Sequence, residues 1–156
     1  MRALVITLSD RAARGEYEDR SGPEIIRLLE EAFEDVTAEP VLMGDHADSL
    51  RAQVARAVEF DVIITTGGTG VGPRDITPDV IRPMLDREIP GIMEFIRIKH
   101  GERLPCALLS RSVAGVIGST LVYTLPGSEK AVREYMHEIL RSLEHALNVI
   151  QGGDHT

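Results

Sequence analysis

The chain has 156 residues, 43% of them hydrophobic and 27% charged, a composition that excludes a disordered or fibrous polymer and fits one compact domain. Its 17 Lys and Arg against 25 Asp and Glu leave a formal charge of −8. That excludes a broad nucleic-acid or anionic-membrane surface and confines anion binding to a place where local donors or a metal override the global sign.

In chain order, residues 2–9 (RALVITLS) form an apolar run rich in β-branched side chains, the pattern of a strand covered on both faces. A polar loop follows, up to Ser21-Gly22-Pro23-Glu24, which has the form of a capping box opening a helix striped by Ile25, Ile26, Leu28, Leu29, Ala32 and Phe33. Residues 38–43 (AEPVLM) read as a weaker strand. After Ser49, Leu50, Val54, Ala57 and Val58 make a second helical stripe.

Residues 61–66 (DVIITT) are a third strand, and Thr77-Pro78-Asp79 opens a helix that Pro83 must shorten or kink, with Thr77 as its N-cap. A helix is expected over residues 91–100, strands over 106–110 (CALLS) and 120–125 (TLVYTL), and a long helix striped by Val132, Tyr135, Met136, Ile139, Leu140, Leu143 and Leu147 that ends before Gly152-Gly153. This alternation predicts a single α/β domain over residues 1–151 with a mostly parallel central sheet, and a flexible tail over 152–156. The single cysteine, Cys106, lies in an apolar stretch and is expected as a buried structural thiol. No apolar run reaches the roughly 18 residues of a membrane span, so a cytoplasmic, reducing location is expected.

Ligands of open α/β sheets bind beyond the carboxyl ends of the strands. Those ends carry Ser9-Asp10, Gly44-Asp45-His46, the stretch TTGGTGVGPRDI over residues 65–76, Ser110-Arg111-Ser112 and Pro126-Gly127-Ser128. The glycine stretch lacks both the Lys-Ser/Thr of a P-loop and the GxGxxG spacing. It is nonetheless longer than an ordinary connection, and bare backbone at Gly67, Gly68 and Gly70 beside the hydroxyls of Thr65, Thr66 and Thr69 suits phosphate.

Carboxylates beside a phosphate would repel it unless a Mg²⁺ ion lies between them. Asp45 and Asp75 are the leading candidates to hold one, with Asp10 a third; as plain structure, Asp45 would be a turn residue and Asp75 a cap or a partner of Arg74. Arg11, Arg14 and Arg20 are placed either to contact phosphate or to pair with Glu16, Glu18 and Asp19. The histidines, His46, His100, His137, His145 and His155, lack metal-ligand spacing and are expected at the surface.

The segments SDRAARGEYEDRSGPEI, TTGGTGVGPRDITPDVI, REIPGIMEFIR and LSRSVAGVIGSTLVYTLPGS, with the Asp45 turn and in this order, resemble the MogA/MoaB family of molybdenum-cofactor biosynthesis proteins, which are molybdopterin-binding domains. The resemblance implies a three-layer α/β/α sandwich, a homotrimer or hexamer, and Mg-ATP-dependent adenylylation of molybdopterin with release of pyrophosphate, ahead of a downstream molybdenum-insertion protein. By position it implies that Asp75 and Asp45 are the catalytic, metal-binding carboxylates. Asp10, Ser21 and Gly22 then fall in the nucleotide-side loop, and residues 67–70, Ser110, Ser112, Pro126, Gly127 and Ser128 line the pterin and phosphate site. A molybdopterin-binding or assembly protein without turnover is the alternative. A flavodoxin-like mononucleotide binder is disfavoured, since there is no Trp and only Tyr17 in the first loop could stack on a flavin.

Overall fold

A computed structural model describes residues 1–153. Its centre is a six-stranded sheet in the order β2-β1-β3-β6-β5-β4, formed by β1 (Arg2–Leu8), β2 (Thr37–Met43), β3 (Val62–Thr66), β4 (Arg87–Glu88), β5 (Ala114–Ile117) and β6 (Thr120–Leu125). The pairs β1/β2, β1/β3 and β3/β6 are parallel, whereas β5/β6 and β4/β5 are antiparallel.

The strand pleat sends alternate side chains to two cores. Ala3 and Val5 of β1 pack with Ile25 and Leu29 of α2 (Ser21–Ala32), Met93 and Ile96 of α5 (Pro90–Gly101) and Met136 and Ile139 of α6 (Glu129–Ile150). Leu4, Ile6 and Leu8 face the other way, onto Leu50 and Val54 of α3 (Ala47–Val54) and Val80 and Ile81 of α4 (Thr77–Ile81). The result is the expected three-layer α/β/α sandwich, and the near-continuous apolar runs of β1, β3 and β6 follow from burial on both faces. A short helix, α1 (Asp10–Ala13), stands in what reads as loop; Ser9 caps it by accepting from Ala12 N.

Several expectations are corrected. Residues 106–110 are not a strand: Pro105–Leu109 is a 3₁₀ turn. Leu108 folds back over Gly101, where any Cβ would lie 2.5 Å from its Cδ2, so the apolar run covers helix α5 and never enters the sheet. Its place beside β6 is taken by β5, whose four residues include a glycine and carry little strand signal. Cys106 is exposed, and Val58, in a 3₁₀ turn after α3, is 92% exposed.

Ser21 and Thr77 do not cap. Asp19 Oδ1 accepts from Ser21 N and Gly22 N, and Glu24 turns from the backbone to Arg27 and Arg133, which hold its carboxyl down to about 2. Pro83 shortens α4 as expected, leaving a 3₁₀ turn over Arg82–Met84. Gly152 has φ +88 and Gly153 N donates to Asn148 O (3.0 Å); residues 154–156 of the expected tail lie outside the described residues.

Because Cys106 stands on the surface, its thiol should react stoichiometrically with a disulfide reagent in native buffer, and Cys106→Ser should leave Tm unchanged. A thiol that titrates only in denaturant would restore the buried placement.

Candidate active site

The sheet changes winding direction between β1 and β3, and there the carboxyl ends of β1, β3 and β6 open into one cavity of about 740 Å³. The glycine stretch after β3 forms one wall. Gly67 (φ +100) passes so close to β1 that a Cβ would sit 2.2 Å from the Leu8 carbonyl oxygen, and Gly68 (φ +65) has Thr77 Oγ1 where a Cβ would go. Neighbouring segments pin the loop: Gly67 N donates to Leu125 O (2.9 Å), Thr77 Oγ1 to Gly67 O (2.8 Å) and Thr66 Oγ1 to Pro126 O (2.8 Å).

Arg111 holds the far side. Its guanidinium donates to Gly70 O, Asp75 O and both oxygens of Asp79, a fork that a lysine could not reproduce. The loop is thereby anchored on both sides while the N–H groups of Gly68, Thr69 and Gly70 have no protein acceptor among the described residues.

Asp10 and Asp45 clasp each other through their backbones, Asp45 N donating to Asp10 Oδ1 (2.9 Å) and Asp10 N to Asp45 Oδ2 (3.3 Å). The bond from Asp45 N holds the Asp10 carboxyl below the usual carboxylate range. Burial pushes the Asp45 carboxyl up, and the charges of Asp10 and Asp75 push it the same way. Asp75 turns into its own loop and accepts from Gly72 N (2.8 Å), and Gly70 and Gly72 leave room for its carboxylate. Arg74 pairs with Asp10 (3.3 Å) rather than with Asp75.

Asp45 Oδ1 and Asp75 Oδ1 carry no hydrogen bond among the described residues. No group of three or more His, Cys, Asp or Glu side chains there is arranged to hold a metal, so a cation at these carboxylates would draw further ligands from water and substrate, as Mg²⁺ does.

Of the residues singled out from sequence, Ser9, Asp10, Ser21, Asp45, Thr66, Gly67, Gly68, Thr69, Gly70, Arg74, Asp75, Ser110, Pro126, Gly127 and Ser128 all line the cavity. Ser21 Oγ donates to Gly127 O (2.7 Å), and Ser128 caps α6 by accepting from Ala131 N. Gly22, Ser112, Thr65, Arg14 and Arg20 do not line it. Gly22 is a spacer, with Thr7 Oγ1 2.5 Å from where a Cβ would go. Ser112 is buried behind Ser110 (Oγ to Oγ 2.9 Å). Thr65 is fully buried, its Oγ1 without a hydrogen-bond partner among the described residues.

Arg11 and Arg14 pair with Glu16, and Arg11 lies 5.2 Å from the Tyr17 ring centroid. Tyr17, His100, Glu134 and Tyr135 also line the cavity. His100, expected at the surface, is buried; His155 lies outside the described residues. Tyr135 belongs to the apolar stripe of α6, and nothing in that pattern separates its polar end from core packing.

Residues 4–145 match the family described as "Probable molybdopterin binding domain". The chain is 32% identical over 152 residues to the molybdopterin adenylyltransferase of Helicobacter pylori strain J99, covering 95% of this chain and 86% of that protein. It is 36% identical over 149 residues to the molybdenum cofactor synthesis protein cinnamon of Drosophila melanogaster; that is 94% of this chain, which spans only 25% of that protein's length. Among solved structures, the molybdopterin biosynthesis enzyme MoaB of Thermus thermophilus superposes with a TM-score of 0.86 at 39% identity, covering 99% of each chain.

Because Asp45 is raised, its ionisation costs the folded state stability: the cost is absent below the unfolded value near 3.8 and develops as pH rises through the folded value. Asp45→Asn, whose amide oxygen can still accept from Asp10 N, should therefore raise Tm by a few degrees at pH 7, with the gain vanishing toward about pH 4. Thermal melts of both proteins across that range check it; an equal gain at every pH would show that charge is not the cause.

Proposed function

The chain belongs to the molybdopterin-binding domain family, and from that premise we propose that it adenylylates molybdopterin at the expense of Mg-ATP in molybdenum cofactor biosynthesis. The observation that carries the proposal is the pairing, in one cavity, of open carboxylate oxygens on Asp45 and Asp75 with the unpaired N–H groups of Gly68, Thr69 and Gly70. Phosphoryl and nucleotidyl transfers ask little covalent chemistry of a protein. They ask that two polyanions be held in line and their charge neutralised.

The terminal phosphate oxygen of molybdopterin forms a bond to the α-phosphorus of ATP while the bond from that phosphorus to the bridging oxygen breaks, and pyrophosphate leaves with the electron pair. A phosphate monoester is ionised at neutral pH, so neither aspartate need take a proton. The residues fit Mg²⁺: the donors are hard oxygens, and the site is anionic, with Arg74 beside Asp10 as its local counter-charge. Asp45 and Asp75 would hold the ion, whose chemistry there is to offset charge on the α-phosphate.

The glycine loop receives phosphate oxygens on its backbone donors, and the first turn of α6, capped by Ser128, adds the positive end of a helix of 22 residues. Arg111 keeps this cradle from collapsing without touching it from the inside. Among the described residues no helix is long and apolar enough to cross a membrane. A cytoplasmic homotrimer, or a hexamer built from it, that passes its product to a molybdenum-insertion protein completes the proposal.

Incubation with molybdopterin and Mg-ATP should yield adenylylated molybdopterin and pyrophosphate. Asp75→Asn should lower the rate by at least about a hundredfold while pterin binding is retained. Pterin binding by the wild type with no product would indicate a binding or assembly protein instead, and absence of pterin binding would overturn the proposal.

A further inference from the structure

The cavity has a second end, away from the aspartates, between α5, the 3₁₀ turn Pro105–Leu109 and the start of α6. Ile96, Leu104, Ala107 and Leu109 give it apolar walls. Tyr135 OH donates to Ser110 Oγ (3.2 Å), which shares a bond with Ser112, so that pair is internally satisfied.

Glu134 is different. Its carboxylate lines the cavity with 22% of the side chain exposed and makes no hydrogen bond among the described residues. Its neighbours are two cations at ion-pair range only, Arg103 at 3.7 Å and Lys130 at 4.0 Å, and His100 Nδ1 at 3.5 Å. Arg103 also reaches His100 Nδ1 (3.3 Å). A guanidinium can only donate, so Nδ1 accepts and the ring proton sits on Nε2; Nε2 is buried with no partner among the described residues. The wall of the apolar slot thus carries a half-buried carboxylate held by ion pairs alone and a buried Nε2–H with no partner among the described residues, although buried polar groups are nearly always satisfied.

The geometry points to Glu134 as the acceptor for the 2-amino-4-oxopyrimidine edge of the pterin, with His100 and Arg103 as positioning residues behind it. This rests on the molybdopterin reading above and adds the group that selects the ring. The edge presents N3–H and the exocyclic amine side by side, and a carboxylate whose two oxygens have neighbours at ion-pair range but no hydrogen bond among the described residues accepts that pair as a bidentate contact. The apolar walls suit the faces of a flat heterocycle. A phosphate is unsuited to this end, because no backbone nest stands there and the carboxylate would repel it. Ring and phosphates therefore lie at opposite ends of one cavity, with the scissile chemistry at the aspartates.

The test is titration of 6-hydroxymethylpterin and of lumazine, which carries an oxo group in place of the 2-amino group, each followed by the ligand's own fluorescence in a chain without tryptophan. The wild type should bind the pterin roughly tenfold or more tightly than lumazine. Glu134→Gln should lose about that factor for the pterin and most of the preference, with Tm and Mg-ATP binding unchanged; Glu134→Asp should weaken binding yet keep the preference. Equal affinity of the wild type for the two ligands, or an undiminished preference in the folded Gln variant, would overturn the role of Glu134 and leave the adenylylation reading standing. Failure of the wild type to bind either ligand would sink both.

Discussion

The site depends on the close convergence of three backbones at Gly67. There β3 ends against the Leu8 carbonyl of β1, at a distance no side chain permits, while Gly127, after β6, would place a Cβ 3.3 Å from the Gly67 Cα. Parallel strands keep their neighbours about 4.8 Å apart, and the turn leaving β3 has to cross that spacing without widening it. A positive φ and the absence of a Cβ at Gly67 satisfy both demands. As a consequence the loops after β1, β3 and β6 share one floor, and Asp10, Asp45, Asp75 and Ser128 face a common volume despite their separation in sequence.

That convergence concentrates negative charge, and the protein relieves it only in part. Asp10 is stabilised as the anion by the Asp45 N–H and by Arg74, but Asp45 carries the cost of burial beside two other carboxylates. One hydrogen bond from Asp10 N and the nearby Arg74 offset that cost only in part. It persists here in a site where a divalent cation would turn the cost into binding. In the proposed reaction a chain of net charge −8 would receive a polyanion through a local field, made of loop N–H groups, a helix start and a cation that the aspartates would hold.

Much of the sheet was legible because burial on both faces writes long apolar runs, as in β1, β3 and β6, and because the strand ends collect short polar motifs. The illegible parts share a cause: a side chain committed to a distant partner looks locally like something else. Ser21 and Thr77 have the form of helix caps, yet their hydroxyls go to Gly127 O and Gly67 O, across the cavity floor. Residues 106–110 carry the apolarity of a strand, but that apolarity covers Gly101 and the cavity wall. His100 resembles a surface residue at the basic end of a helix, and only the packing of α5 against α6 buries it beside Glu134.

The two ends of the cavity differ in a way that orders the chemistry. One end offers hard oxygens and backbone donors, suited to phosphates whatever they are attached to; the other offers apolar walls and the Glu134 carboxylate, which would repel phosphate and accept from a ring edge. Binding energy gained at the ring end is available at the phosphate end only if the substrate is rigid enough to transmit position. A fused ring system joined to its phosphate by a short link meets that requirement better than a flexible chain would. In the proposed reaction, alignment on the α-phosphorus would then be set some distance from the reacting atoms, while the aspartates would serve only to hold the neutralising cation.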